Sequence, residues 1–302
     1  QQYHGTNTFL SDALTLEACK EMKKAIDKGQ PFYLNMAHYA VHAPFETDER
    51  FIGNYTDPSK TKQAKAFATL IEGMDKSLND LMNRLEEWGV AENTLIFFLG
   101  DNGGDAPLGG AADYGSSAPL KGKKGSEFEG GMRVPFIAGW AKVNPDNRLQ
   151  KEFPIATGTV QTQMATIMDI YPTVLSAAGI DLPAHHILDG GDLKKMLAGK
   201  HDRRHRDDFL MHFPHEHRGS YFTVYRKQDW KLIYYYHQEK GGVPECKLYN
   251  LKDDPYEKQD VAAAHPKEVK RMFRLMVKRL EAEGALYPVT KDMKPIYPSL
   301  PQ

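Results

Sequence analysis

Asp101 and Asn102 stand directly behind an apolar run, Thr94-Leu95-Ile96-Phe97-Phe98-Leu99-Gly100, and Gly103 and Gly104 follow them. A carboxylate and an amide carbonyl are hard oxygen donors, which suit calcium or magnesium rather than zinc. The run before them has strand length and fits a strand buried on both faces of a parallel sheet. In open α/β sheets ligands gather beyond the carboxyl ends of the strands, and the pair falls there. The two glycines permit a sharp turn and close approach of the backbone to a bound group. Lys121, Lys123 and Lys124 then bring positive charge among further glycines. A metal next to a lysine can hold a tetrahedral oxyanion such as sulfate or phosphate. The same residues also make an ordinary strand-to-loop turn followed by a solvated basic loop. Both readings stay open on spacing alone.

The wider pattern resembles a known family. Asp101-Asn102-Gly103-Gly104, then Pro119-Leu120-Lys121-Gly122-Lys123-Lys124-Gly125-Ser126, then Glu129-Gly130-Gly131-Met132-Arg133-Val134-Pro135-Phe136, is similar to the second half of the formylglycine-dependent sulfatases of the alkaline-phosphatase superfamily. The resemblance implies that Asp101 and Asn102 ligate calcium and that Lys124 contacts the sulfate. Lys121 stands where many members carry arginine, and Lys123 where many carry glycine; the resemblance implies that Lys121 and Lys123 bind substrate, and that the sulfate contact falls on Lys124 or on Lys123. His42-Ala43-Pro44 follows an apolar stretch, and a histidine just past a strand end is placed to face a site. In the family the matching histidine hydrogen-bonds sulfate, which assigns that role to His42; His38 reads as structural.

The family's nucleophile is the hydrated aldehyde of formylglycine, made from the Cys or Ser of a Cys/Ser-x-Pro-x-Arg motif. It attacks sulfur and expels the alcohol, and its remaining hydroxyl then eliminates sulfate. Neither Cys19 nor Cys246 is followed by x-Pro-x-Arg. Ser117-Ala118-Pro119-Leu120-Lys121 ends in lysine and overlaps a segment that already matches elsewhere, so it is a decoy. The family's paired N-terminal aspartates and its Gly-Lys-x-His-Leu-Gly segment are also missing. The expectation is a C-terminal portion of a sulfatase, partnered by the N-terminal segment that carries formylglycine. By itself it is expected to be inactive and to bind calcium weakly. Two alternatives are a phosphate or phosphonate ester hydrolase of the same superfamily and a non-catalytic remnant that binds a sulfated glycan.

The elements that must position these residues can be read in order. The chain has 302 residues, 41% hydrophobic and 26% charged, with a net charge of -1. That charge gives no argument for nucleic acid or an anionic membrane, and no apolar run reaches membrane-spanning length. No signal peptide is read at the start; a periplasmic, secreted or lysosomal location is implied by the resemblance only. Two cysteines do not make a disulfide framework. Residues 14–28 read as an amphipathic helix stopped by Gly29, and 31–37 as a buried strand. Residues 64–88 form the clearest helix, with Phe67, Leu70, Ile71, Met74, Leu78, Leu81, Leu85 and Trp88 at helical spacing. A short strand is expected at 135–140 and a helix within 160–178, kinked or restarted at Pro172. Residues 185–208 read as an exposed connection.

The last third changes texture. Aromatic and β-branched runs at 221–226 and 230–236 suggest an antiparallel hairpin, with a third strand at 247–251 and a helix over 266–284. Ahead of the hairpin, His212, His215, His217 and Arg218 crowd a stretch read as a substrate-recognition loop. His215, His217 and Arg218 could donate hydrogen bonds to sugar hydroxyls or a uronate, which favours a carbohydrate sulfate over a small aryl sulfate as substrate. The expected fold class is α/β: part of a largely parallel sheet flanked by helices (1–205), then a small α+β subdomain with an antiparallel sheet and one packed helix (206–302). The resemblance runs from about Leu14 to about Pro288.

Overall fold

The structure, a computed structural model, describes residues 2–105, 116–182, 184–215, 221–236 and 245–300. Along the chain come α1 (Leu10–Asp27), α2 (Lys62–Glu87), β1 (Leu95–Leu99), α3 (Glu129–Met132), β2 (Phe136–Trp140), α4 (Arg148–Glu152), α5 (Ile170–Ala177), α6 (Lys194–Leu197), β3 (Asp208–Phe213), β4 (Phe222–Lys227), β5 (Trp230–Tyr235), β6 (Glu245–Asn250) and α7 (Pro266–Ala282). They fall into two compact units. One contains the described residues up to Phe97 together with 138–152; the other contains 98–105, 116–137 and those from 153 on.

In the first unit α1 packs on α2. Thr61 caps α2 by accepting from Ala64 N at 3.1 Å, which satisfies one of the orphan donors of the first turn. Ala66, Leu70, Leu81 and Leu85 bury one face of that helix, in keeping with the 3.6-residue period. Ala18, Met22, Leu81, Leu85 and Ala91 form the core, and Phe32, Leu34 and Met36 pack against it. Residues 31–37 have no assigned secondary structure and are not the buried strand expected there. Their side chains alternate, with Tyr33 71% exposed. Among the described residues no strand pairs with them, so the pattern has the period of a strand without its hydrogen-bonded neighbours.

β1 and β2 make a two-stranded sheet. Ala141 N donates to Thr94 O at 2.9 Å and Gly100 N donates to Pro135 O at 3.2 Å. These bonds join the start of each strand to the end of the other, so the pair is antiparallel. β1 is half-buried along its whole length rather than buried on both faces. The described residues therefore make a mixed α/β fold with antiparallel strand pairs, and no parallel pair occurs among them.

The second unit is built on the antiparallel sheet β3-β4-β5-β6. Gln228, at φ +53°, and Asp229 join β4 to β5. Successive side chains of a strand point to opposite faces, and here both faces are covered. Leu232, Tyr234 and Leu248 meet Met272, Met276 and Leu280 of α7. Val224, Ile233, Tyr235 and Tyr249 meet Phe128 and Met132. Proline at the first position of α7 costs that helix no hydrogen bond.

Two sequence expectations change in this unit. The helix expected within 160–178 is only α5, preceded by a 3-10 turn with a reciprocal Thr166–Asp169 capping box. Pro172 lies in the first turn of α5, where the missing N–H is tolerated. The stretch 185–208 is not a plain exposed connection, because Leu193 and Met196 are buried. His205 Nε2 lies 3.6 Å from Asp169 Oδ2, with both side chains only 4% exposed.

Candidate active site

The turn after β1 is held by backbone contacts to the loop and α3 as well as by its own side chains. Gly103 N donates to Gly131 O at 3.0 Å, and Lys124 N donates to Gly104 O at 2.9 Å. A Cβ on Gly103 would lie 1.8 Å from Gly130 O, and one on Gly131 would lie 2.4 Å from Lys123 O. Only glycine permits two backbones to approach so closely. Gly130 N donates to Lys121 O at 2.7 Å, and Lys123 N donates to Ser126 Oγ at 3.1 Å. Ser117, the serine of the decoy motif, accepts from Gly104 N at 2.8 Å. The Asp101–Asn102 turn, the basic loop 121–126 and α3 thus form one continuous backbone network within the second unit.

Within it Asp101 is exposed and accepts from Asn102 N at 2.9 Å. Asn102 Nδ2 donates to Gly103 O at 2.9 Å. This bond engages the amide's N–H group. Lys123 Nζ is 3.7 Å from Asp105 Oδ1. Lys121 is directed elsewhere: its Nζ donates to Glu257 O at 3.1 Å and lies 4.2 Å from the centre of the Phe128 ring and 5.5 Å from that of Tyr249.

The loop is also tied to the sheet by three residues on one face of it. Tyr235 OH donates to Glu127 Oε1 at 2.5 Å. Arg226 Nη1 lies 3.5 Å from Glu129 Oε2. Lys231 Nζ lies 3.1 Å from Glu129 Oε1 and 2.7 Å from Glu257 Oε1, with neither Lys231 nor Glu257 exposed. Glu257 Oε2 also accepts from Glu129 N at 2.7 Å. Burial pushes the Glu257 carboxyl above its ordinary range, with the Lys231 ammonium pulling the other way. Burial likewise pushes the Tyr235 hydroxyl up, and the Glu127 carboxylate adds to that.

Comparison with known proteins decides the family. The sulfatase family model matches residues 1–180, more than half of the chain, and a model of the N-sulphoglucosamine sulphohydrolase C-terminal region matches 126–284. The chain belongs to the sulfatase family. This sulfatase chain is 32% identical over 251 residues to canine (Canis lupus familiaris) N-acetylgalactosamine-6-sulfatase, covering 82% of this chain and 42% of that protein. It is 32% identical over 207 residues to human (Homo sapiens) steryl-sulfatase, covering 68% of this chain and 32% of that protein. The crystal structure of Ps i-CgsB in complex with k-i-k-neocarrahexaose matches with a TM-score of 0.72 at 27% identity, covering 91% of this chain and 56% of that one. The sulfatase chain thus spans a third to less than half of the length of these two curated relatives.

Asp101 and Asn102 fit a hard cation by donor type, since one offers carboxylate oxygens and the other an amide oxygen. They are too few to complete a site: calcium takes six to eight oxygens, and no group of three or more His, Cys, Asp or Glu suited to a metal occurs among the described residues.

The remaining sequence candidates take no part in the bonds of this network described above. His42 belongs to the first unit, where its Nδ1 is 2.7 Å from Ala43 O and its N donates to Tyr39 O at 2.9 Å. The stretch read as a recognition loop is in part strand β3. His212 is held by Thr223 Oγ1 at 2.7 Å and Leu286 O at 2.6 Å. His215 is exposed just past the strand, its ring centre 4.3 Å from that of Phe213. His217 and Arg218 lie outside the described residues.

Sequence reasoning missed Glu127, Glu129, Arg226, Lys231, Tyr235 and Glu257. One signal was present, because Lys231 is a lone charge inside the apolar run Trp230-Lys231-Leu232-Ile233-Tyr234. Its partners are 102 and 26 positions away, so no local pattern could name them.

Proposed function

We propose that this chain is the C-terminal portion of a sulfuric ester hydrolase that removes sulfate from a carbohydrate sulfate ester. The observation that carries this is the backbone network holding the oxygen-donor pair Asp101–Asn102 against the basic loop 121–126. Lys124, or its neighbour Lys123, donates to a sulfuryl oxygen and stabilises charge there as the ester bond breaks. Asp101 and Asn102 supply part of a calcium site, and His42 donates to the sulfate. When bound, calcium supplies Lewis-acid polarisation of the sulfuryl oxygens, and formylglycine, expected on an N-terminal segment, supplies the nucleophile. His215, His217 and Arg218 donate hydrogen bonds to the sugar; Lys121 stays with the loop as its anchor to Glu257 O. The match to the structure of Ps i-CgsB in complex with k-i-k-neocarrahexaose favours a glycan over an aryl sulfate.

The same reading assigns residues 1–205 to the catalytic α/β domain, with a largely parallel sheet in the assembled enzyme, and 206–302 to its C-terminal subdomain. It also assigns a periplasmic, secreted or lysosomal setting. No helix among the described residues is long and apolar enough to cross a membrane.

The test is sulfate release from sulfated oligosaccharides by this chain alone and by this chain co-expressed with a sulfatase N-terminal segment carrying Cys-x-Pro-x-Arg. Release only in the second sample supports the proposal. Release of phosphate instead, from a phosphate monoester, would assign the chain to the phosphatase branch. Binding of the oligosaccharide without turnover in either sample would make it a glycan-binding remnant.

A further inference from the structure

The buried Lys231–Glu129–Glu257 cluster is not used by the reaction proposed above. It sits where the sheet of the second unit meets the polypeptide that carries Lys123 and Lys124. Every second residue of β5 faces this polypeptide: Lys231 reaches Glu129, Ile233 packs in the same cluster as Phe128, and Tyr235 reaches Glu127. Arg226 on β4 reaches Glu129 from the same face. Lys121 closes the arrangement from the loop side through Glu257 O.

A buried ammonium flanked by two carboxylates is a poor way to gain net stability. Apolar side chains of the same shape often serve as well or better, because desolvation offsets the attraction. What the arrangement does supply is direction. Ion pairs and charge-assisted hydrogen bonds have narrow distance and angle preferences, whereas apolar contacts between Phe128, Met132 and the sheet would tolerate sliding. Glu129 is fixed at its side chain by Lys231 and Arg226 and at its backbone N by Glu257 Oε2. Gly130, its neighbour, is bonded to Lys121 O. The path from Lys231 to the basic loop therefore runs through two consecutive residues, Glu129 and Gly130.

We propose that Lys231, acting through Glu129 and Glu257, is a positioning residue that sets where the loop 121–126 presents Lys124. This rests on the reading of Lys124 as the sulfate contact. The C-terminal sheet then shapes the sulfate site through its strands as well as through any loops that border the substrate.

The test uses Lys231→Met, which keeps the chain length and removes the charge, and Tyr235→Phe, which removes only the tie to Glu127. Two readouts are taken well below the melting temperature of each variant: tryptic cleavage after Lys121, Lys123 and Lys124 in the purified chain, and kcat and KM for sulfate-ester hydrolysis in the chain co-assembled with the formylglycine-bearing segment. The expected result for Lys231→Met is at least a tenfold faster cut within the loop, at unchanged far-UV circular dichroism, and at least a tenfold lower kcat/KM. Tyr235→Phe shifts both in the same direction by a few-fold. If Lys231→Met does not fold, Tyr235→Phe decides alone. A folded variant with the wild-type cleavage pattern and wild-type kcat/KM overturns the proposal. So does one whose lower activity tracks only its fraction unfolded. Lys124→Ala is run beside them: if it leaves hydrolysis unchanged, the sulfate assignment fails, while the cleavage readout still reports on the loop.

Discussion

Gly103 lies so close to Gly130 that a β-carbon on the first would stand 1.8 Å from the carbonyl oxygen of the second. The turn carrying Asp101 and Asn102 is therefore placed by backbone against backbone. Gly103→Ala should destabilise the chain by about 3 kcal/mol or more, as an insertion into a packed site with no flexible neighbour to yield. A β-carbon on Gly139 in β2 would meet nothing within 4 Å, and the φ of that residue is not positive. Gly139→Ala should change stability by well under about 1 kcal/mol. Urea midpoints of the two variants check the contrast.

Asp101 is exposed, and its carboxylate accepts from the backbone N of the adjacent residue. Asp101→Ala should leave the urea midpoint of the chain near wild type, while the co-assembled enzyme loses its response to added calcium. Lys124→Ala should lower kcat on the order of 10²-fold, the effect of removing one preorganised donor to a developing charge. Initial rates after chelation and calcium titration measure both.

Asp169 is buried and accepts from Thr166 N at 2.6 Å and from Gly191 N at 2.7 Å. Asp169→Ala leaves these donors without their partner and should cost about 2–4 kcal/mol, since each unsatisfied buried donor costs about 1–3 kcal/mol. The midpoint of thermal unfolding by circular dichroism reports the loss. Substitution of Asp181, exposed nearby in sequence, should have little effect.

Burial pushes the pKa of His212 below its ordinary value of 6.5, with the hydrogen bond to Leu286 O opposing it. His38 is shifted the same way by burial. The folded pKa lies below the unfolded one, so the unfolded chain binds more protons between the two values. The stability these histidines contribute is fully present above about pH 6.5 and is lost as the pH falls from there through the folded values. Urea midpoints measured from pH 7.5 to 5 should decline, and His212→Asn should flatten the decline. A wild-type midpoint that rises over this range would refute the assignment.

The sequence by itself carried the parts whose signal is local. The helical period of Leu70, Leu81 and Leu85, the Gly stop after Trp88 and the aromatic alternation of β4 and β5 each lie within one element, and the chain forms those elements near their expected bounds. The Asp101-Asn102-Gly103-Gly104 turn was equally legible, because close backbone approach leaves glycine as the residue that fits, while Glu129-Gly130-Gly131 was legible through the resemblance. Tertiary structure decided what distance in sequence conceals. It withheld strand status from residues 31–37, whose hydrogen bonds need a neighbour that no local pattern specifies. It made Met211-His212-Phe213 part of a strand, because β4 offers them a partner. It brought Lys121 onto Glu257 O, and it brought Lys231 to Glu129 and Glu257. A buried charge needs partners wherever the fold can supply them, and those partners follow from the packing of the sheet against the loop.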